Sequence, residues 1–312
     1  MKIGVVGCGQ VGSSSAYACV LKGIGTEIIL VDKNEKLAVA QAEDISHATP
    51  FAKAMPVRAG DYKDLEHAGI VMIAAGVSQK HGETRLDLLK RNAAILEEII
   101  PQVLKAAPEA IFLIASNPVD IMTHMVAAIA TKNGHTHGKV IGSGTILDTA
   151  RFRTLLAQYL NVSSHSVHAH VLGEHGDSEV LNWSGANVSN IPLMEFSNQI
   201  QCGITPQIKS RIDSAVRNAA YKIIEGKGAT YYGIGAGMAR IAKAITDDEH
   251  SVLTCCAPID FEKIGNVTLS LPRIISASGI VKEIHPILNA EEKYSLKNSA
   301  MIIKSALNSI GY

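Results

Sequence analysis

The chain has 312 residues, 47% hydrophobic and 19% charged, and its 29 Lys+Arg balance 29 Asp+Glu to a formal charge of zero. That balance offers no long-range field for nucleic acid or an anionic membrane, so any anion site has to be local. The length exceeds what one compact core usually serves and predicts two lobes.

Residues 2–6 (KIGVV) form an apolar run that predicts a buried strand, and residues 10–22 a helix behind it. A strand at 27–31 and a helix at 34–47 repeat the pattern. Strands follow at 70–74 and 111–115, separated by a long helix over 86–107, and Val140-Ile141 ends the series. Strands buried on both faces and alternating with helices imply a parallel sheet with right-handed crossovers. Beyond residue 143 the pattern changes: a helix at 145–159, strands near 167–172, and long helices at 206–225 and 231–244. A β-meander over 251–283 turns at Gly265 and Gly279, and a helix over 290–307 closes the chain. No apolar stretch reaches membrane-span length, and no basic and apolar leader precedes the first strand. Five cysteines without a CxxC pair suit a reducing compartment, so a cytoplasmic protein without disulfides or a membrane partner is expected.

Between the first strand and helix stands GCGQVG, a GxGxxG loop of Gly7, Gly9 and Gly12. Such glycines permit the tight turn, the approach of a pyrophosphate and close helix–strand packing, while the helix N-terminus offers unpaired N–H groups. On its own the loop is only a glycine-rich turn. Asp32, 20 residues after Gly12 at the end of the second strand, adds a carboxylate suited to ribose hydroxyls and hostile to a 2′-phosphate. Together they predict NAD rather than NADP, although Asp32 alone also reads as an acid at a helix start. The fold class expected is therefore α/β: a Rossmann, doubly wound NAD-binding domain over residues 1–142, then a mixed α+β substrate domain over 143–312. Gly76 and Ser116 follow further strands and face the same crevice. Asn117 reads equally as a ligand of nicotinamide or substrate and as a helix N-cap before Pro118.

Asp148 and Arg151 lie three apart on one helix face, the spacing of an ordinary surface ion pair. A second reading gives Arg151 a substrate carboxylate to hold in a fork and Asp148 an imidazole to orient. That imidazole is His175, set in VLGEHGD on a backbone bend between acids. The polar segment QKHGETR, ending at Arg85, reads either as a solvated loop or as a lid that closes over a carbonyl.

The set GCGQVG, Asp32, QKHGETRLDLL, SNPVD, SGTILDTARFR, GEHGD and KGATYYGI resembles the L-lactate dehydrogenases of the lactate/malate dehydrogenase family, from Met1 to the C-terminal helix. The resemblance implies reversible, NADH-dependent reduction of pyruvate to L-lactate. By it, His175 is similar to the proton donor, Asp148 to its orienting partner, and Arg85 to the lid residue that polarises the carbonyl. Arg151, Gln79, Asn117 and Thr230 correspond to substrate contacts, and Gly7, Gly9, Val11, Gly12, Asp32, Gly76, Ser116, Asn117, Ser143 and Ile234 to cofactor contacts. Gln79 stands where malate dehydrogenases of this type carry arginine, and a neutral amide leaves a second substrate carboxylate unpaired in a dry site, which favours pyruvate over oxaloacetate. L-2-hydroxyisocaproate or malate dehydrogenase activity, or a catalytically silent NAD-binding or structural protein, are the alternatives. His81 replaces a frequent proline, and Cys8 stands where alanine or threonine is usual; Cys8 reads as quietly packed, with a thiol-sensitive cofactor site as the alternative.

Arg153 and His168 correspond to positions that bind fructose 1,6-bisphosphate between subunits in allosteric bacterial members; the alternative is a solvated arginine and a packed strand histidine. The resemblance also implies a homo-oligomer, a tetramer or a dimer that pairs further. His168 and His170 share a strand face but lack further ligands at convincing spacing, so no metal is expected. His135 and His137, in a polar loop, read as solvated.

Overall fold

A computed structural model describes residues 1–77, 82, 84–136 and 138–312; Gln79, His81 and His137 lie outside the described residues, as does the side chain of Arg85. The first half runs β1 (Lys2–Val6), α1 (Gln10–Leu21), β2 (Glu27–Val31), α2 (Glu35–Ser46), β3 (Val57–Ala59), β4 (Ala68–Ile73), α3 (Arg85–Ala106), β5 (Ile111–Ile114), α4 (Val119–Lys132) and β6 (Val140–Gly142). Its strands lie in the order β3-β2-β1-β4-β5-β6, every pair parallel. The continuous apolar runs explain this sheet, because β1, β2, β4 and β5 are buried almost throughout between helices.

The second half runs α5 (Ile146–Leu160), β7 (Val167–His168), β8 (Val171–Leu172), β9 (Val180–Leu181), β10 (Asn187–Val188), β11 (Ile191–Pro192), α6 (Leu193–Gln199), α7 (Pro206–Arg217), α8 (Ala219–Lys227), α9 (Tyr232–Thr246), β12 (Ser251–Phe261), β13 (Gly265–Ser276), β14 (Gly279–Glu283) and α10 (Ala290–Ser309). The meander β12–β14 is antiparallel as expected, but it does not stand apart. β12 pairs with β6 through Cys256 and Gly142, making one nine-stranded sheet. Gly142 is required there, since a Cβ would lie 2.2 Å from both Cys256 Sγ and Thr123 Oγ1.

Two readings are corrected and one helix is added. Residues 206–225 are not one helix: α7 ends and α8 begins at Asn218. Residues 119–132, left unassigned by periodicity, form α4, whose first two turns are buried on all sides and so show no amphipathic stripe. His135 is not solvated: it is buried, stacked on Phe112 with ring centroids 4.8 Å apart, and its Nδ1 donates to the Pro108 carbonyl at 2.8 Å.

Candidate active site

The carboxyl ends of the parallel strands are laced in step. Gly7 N donates to Val31 O, Ala74 N to Val6 O, Ala115 N to Ile73 O and Ser143 N to Ile114 O, all at 2.8–2.9 Å. This gathers Gly7, Asp32, Gly76, Ser116 and Ser143 along one crevice, the usual ligand position in an open α/β sheet. Gly7 takes φ +97°, and a Cβ on it would lie 2.5 Å from Ala75 N. A Cβ on Gly12 would lie 1.9 Å from Gly7 O, so the third glycine lets α1 start against the loop. Around Gly9 a Cβ would meet open space, and Gly9 caps α1 without a side-chain bond. The helix N–H groups there are left for a ligand, a cradle that fits a cofactor pyrophosphate.

Asp32 accepts from Cys8 N at 2.7 Å through Oδ2 and from Asn34 N at 2.9 Å through Oδ1, so it fixes the glycine loop as well as facing the crevice. Each oxygen keeps a further lone pair for a hydroxyl donor. Cys8 is fully buried, and burial followed by the Asp32 charge pushes its thiol up to about 12. A thiol held protonated and sealed fits the quiet-packing reading of Cys8 rather than the oxidation-sensitive one. Val11 packs half-buried on the core. Ser14 Oγ donates to Tyr231 O at 2.9 Å where α1 crosses α9 beside Gly235, bringing half-buried Thr230 and Ile234 to that side.

Asn117 is exposed, and Pro118 rather than Asn117 caps α4, so the N-cap reading does not apply. The Asn117 carbonyl accepts from Asn92 Nδ2 at 2.8 Å, while Asn92 Oδ1 accepts from Val77 N at 2.8 Å. Asn92, buried on α3, thus ties the loops after β4 and β5 together. Sequence reading missed it, although a lone amide inside the apolar stripe Leu89, Ala93, Leu96, Ile100 was the signal.

The bend that carries His175 is built from neighbouring elements. Gly173 takes φ +85° and exchanges hydrogen bonds of 2.9 Å with Ser270 on β13. Thr145 Oγ1 donates to Val171 O at 2.5 Å, and Val171 N donates to Thr149 Oγ1 at 2.9 Å, which staples α5 to β8. The staple sets Asp148 opposite the bend: His175 Nδ1 donates to Asp148 Oδ2 at 2.6 Å. Arg151 Nη1 donates to Asp148 Oδ1 at 2.7 Å. The intrahelical ion pair and the imidazole contact therefore coexist on one buried carboxylate.

Burial by itself would lower the His175 pKa; the charge and hydrogen bond of Asp148, with help from Asp120 and Glu179, outweigh it and raise the value to about 9. Asp148 is opposed by its own burial, yet the two cations hold it below the usual carboxylate range. Asp120, the last residue of SNPVD, was also missed. Its Oδ2 accepts from His175 N at 2.7 Å, its Oδ1 has no partner among the described residues, and burial pushes it up to about 7. An acid in the first turn of a helix looks from sequence like a dipole complement.

Arg153 points away from this group: its Nε donates to Ala169 O at 2.9 Å. His168 is exposed on β7, not packed. His170 lies between them in charge terms, since burial, then Arg153, then His168 lower it to about 4.

Two family models match nearly the whole chain: lactate/malate dehydrogenase, NAD binding domain, over residues 1–142, and lactate/malate dehydrogenase, alpha/beta C-terminal domain, over 145–311. The chain is 56% identical over 311 residues to an L-lactate dehydrogenase of Allorhizobium ampelinum, covering 99% of each. It is 54% identical to one of Thermus aquaticus, covering both chains fully. The crystal structure of a lactate dehydrogenase from a Medee basin deep-sea metagenome library superposes with TM-score 0.95 at 40% identity, covering 100% of this chain and 99% of that one. The minor L-lactate dehydrogenase of Enterococcus mundtii superposes with TM-score 0.94 at 38% identity, covering 99% of this chain and 98% of that one. The chain belongs to the lactate/malate dehydrogenase family and is an NAD-dependent dehydrogenase of L-2-hydroxy acids.

Proposed function

We propose that this crevice reduces pyruvate to L-lactate, and runs the reverse oxidation, with the residues above in distinct roles. The observation that carries the reading is the contact of one buried carboxylate, Asp148, with both His175 and Arg151. Gly7, Gly9, Val11, Gly12, Asp32, Gly76, Ser116, Ser143 and Ile234 would hold NAD, whose nicotinamide supplies a hydride to the carbonyl carbon or takes one from the alcohol. Arg151 commits only Nη1 to Asp148, and its remaining N–H donors bind the substrate carboxylate. His175, protonated, gives its proton to the forming alkoxide through Nε2 while Nδ1–H stays on Asp148; neutral, it takes the hydroxyl proton. Asn117 and Thr230 border the substrate, and Arg85, which opens α3, stabilises the developing oxygen charge. Gln79 meets the C3 end of the substrate.

The test is NADH absorbance with pyruvate, 2-oxoisocaproate and oxaloacetate, in the native enzyme and in His175→Asn, Arg85→Gln and Gln79→Arg. Pyruvate is the preferred substrate of the native enzyme, kcat collapses in the first two variants, and Gln79→Arg raises turnover of oxaloacetate relative to pyruvate. Normal pyruvate turnover by His175→Asn refutes the mechanism, and an unchanged substrate ratio refutes the Gln79 assignment.

The same reading makes the protein a cytoplasmic homotetramer of fermentative glycolysis, divided at residue 142 into cofactor and substrate domains. Fructose 1,6-bisphosphate is its activator, taken up by Arg153 and His168; Arg153 is tied to the carbonyl of Ala169, next in the chain to exposed His168, which supports a shared anion site. Among the described residues no helix is long and apolar enough to cross a membrane. Pyruvate saturation at low enzyme concentration becomes tighter or less sigmoidal when the sugar bisphosphate is added; an unchanged curve removes this activator.

A further inference from the structure

Beyond its first turn, the buried stripe of the C-terminal helix α10 carries one hydroxyl: Ser299 stands among Leu296, Ala300, Ile303 and Leu307 and is fully buried. A polar group so placed is costly unless it is hydrogen-bonded. Its partners lie on the bend that carries His175. Glu174 N donates to Ser299 Oγ at 2.8 Å, and the hydroxyls of Ser178 and Ser299 lie 3.0 Å apart. Ser178 Oγ donates to Glu174 Oε2 at 2.5 Å. Ser178 has a single hydroxyl proton and gives it to that carboxylate, so Ser299 supplies the proton shared between the two hydroxyls. The bonds then close a ring, from Glu174 N–H through Ser299 and Ser178 back to the Glu174 carboxylate. His175, Gly176 and Asp177 are the chain that the ring encloses.

The helix that presents Ser299 is held against both ends of the bend. Leu296 and Ala300 share the core cluster of Leu172 on β8 and Val180 on β9, which flank it. Just beyond β9, Ser184 N donates to Glu292 Oε1 at 2.9 Å and Asn182 Nδ2 to Glu292 Oε2 at 3.2 Å, which ties down the first turn of α10. The approach is close: a Cβ on Gly173 would lie 2.6 Å from Ser299 Oγ. His175 N is held separately by Asp120 at 2.7 Å, and the ring by Asp148 at 2.6 Å. We infer that Ser299 is a positioning residue for His175: from the C-terminal helix it holds the amide before the histidine, and so fixes where the imidazole stands. It acts through the chain of the bend, from a helix that none of the motifs around the crevice includes.

The inference rests on His175 as proton donor. The measurements are kcat per NADH-binding site, counted by fluorescence titration, the KM for pyruvate and the NADH Kd, in Ser299→Ala, Ser178→Ala, the double variant and His175→Asn. Ser299→Ala leaves Glu174 N–H without its acceptor, and kcat per site is expected to fall by about tenfold as the imidazole drifts from its position. KM and the NADH Kd stay within about twofold of native, because Arg151 and the glycine loop stand on other elements. Ser178→Ala opens the same ring at its next bond and shows the same split; it carries the test if Ser299→Ala does not fold. The double variant loses no more than the worse single variant, since the ring is already open.

Native kcat per site in the variant that carries the test, or losses that multiply in the double variant, overturns the role of Ser299; with His175→Asn inactive, the proton-donor reading stands. Parallel deterioration of kcat, KM and NADH Kd marks a general loss of structure and overturns that role likewise. Native turnover in His175→Asn overturns both.

Discussion

Replacing Asp148 by Asn removes the charge that raises His175 and leaves the shape of the contact. The gap between the ordinary 6.5 and about 9 corresponds to about 3 kcal/mol in favour of the charged imidazole. Because the imidazole side chain is 30% exposed, solvent screening trims the figure to about 2–3 kcal/mol. Without the Asp148 carboxylate, burial acts against only Asp120 and Glu179, and the imidazole falls to about its ordinary value or below. At pH 7.5 its protonated fraction then drops from nearly complete to about one in ten, so kcat/KM for pyruvate falls by about tenfold from protonation alone. Loss of orientation multiplies that deficit. The assay is NADH absorbance at subsaturating pyruvate between pH 5.5 and 9.5. The native alkaline limb lies near pH 9 and the variant's below pH 7, and toward acid pH the gap between the two rates narrows to the part owed to lost orientation. Lactate oxidation, which needs the neutral ring, suffers less from the protonation change. The linkage has a matching sign: a folded value above 6.5 stabilises the protein below pH 6.5, and that contribution is lost as the pH rises through about 9. A variant limb that stays near pH 9 would refute the assignment of Asp148 as the source of the shift.

Gly12→Ala places a Cβ 1.9 Å from Gly7 O, so α1 must move off its loop; NADH binding, read by fluorescence titration, weakens by at least about tenfold, with stability lower by about 1–3 kcal/mol. Asn92→Leu leaves Val77 N–H and the Asn117 carbonyl without their partner, lowering unfolding free energy in urea by about 2–4 kcal/mol and loosening both crevice loops. Arg151→Lys cannot serve Asp148 and a substrate carboxylate from separate N–H groups of a rigid fork, so KM for pyruvate rises by about tenfold or more, out of proportion to any change in kcat.

The crevice was legible because its signals are local. Glycine spacing, a strand end and an acid 20 residues on are read along a few dozen residues, and β1–α1–β2 came out where expected. The meeting of Asp148 and His175, 27 residues apart in sequence, was only one of two readings of the Asp148/Arg151 spacing, beside an ordinary ion pair, and the resemblance favoured it. What sequence could not show is how the meander attaches. A single bridge, Cys256 to Gly142, makes β12 the seventh strand of the sheet, and nothing in a run of alternating β residues names its partner. Asp120 and Glu179 were overlooked for a related reason: a carboxylate beside a helix start or a turn looks solvated until distant elements bury it.

The burial of those acids follows from what the site must hold. The described part of the crevice brings Arg151 and His175 together before any substrate arrives, and two cations side by side repel. Asp148 answers both, one oxygen each, and Asp120 secures the backbone N–H of His175, so the imidazole is fixed from its ring and from its chain. In the proposed reaction a carboxylate substrate adds its negative charge beside Arg151, which has donors to spare, and leaves the Asp148–His175 bond undisturbed. With the substrate's charge absorbed by Arg151, the proton on His175 is governed by Asp148 and its buried neighbours. In the proposed reaction that separation lets the same imidazole give its proton in one direction and recover it in the other without the carboxylate end of the substrate moving.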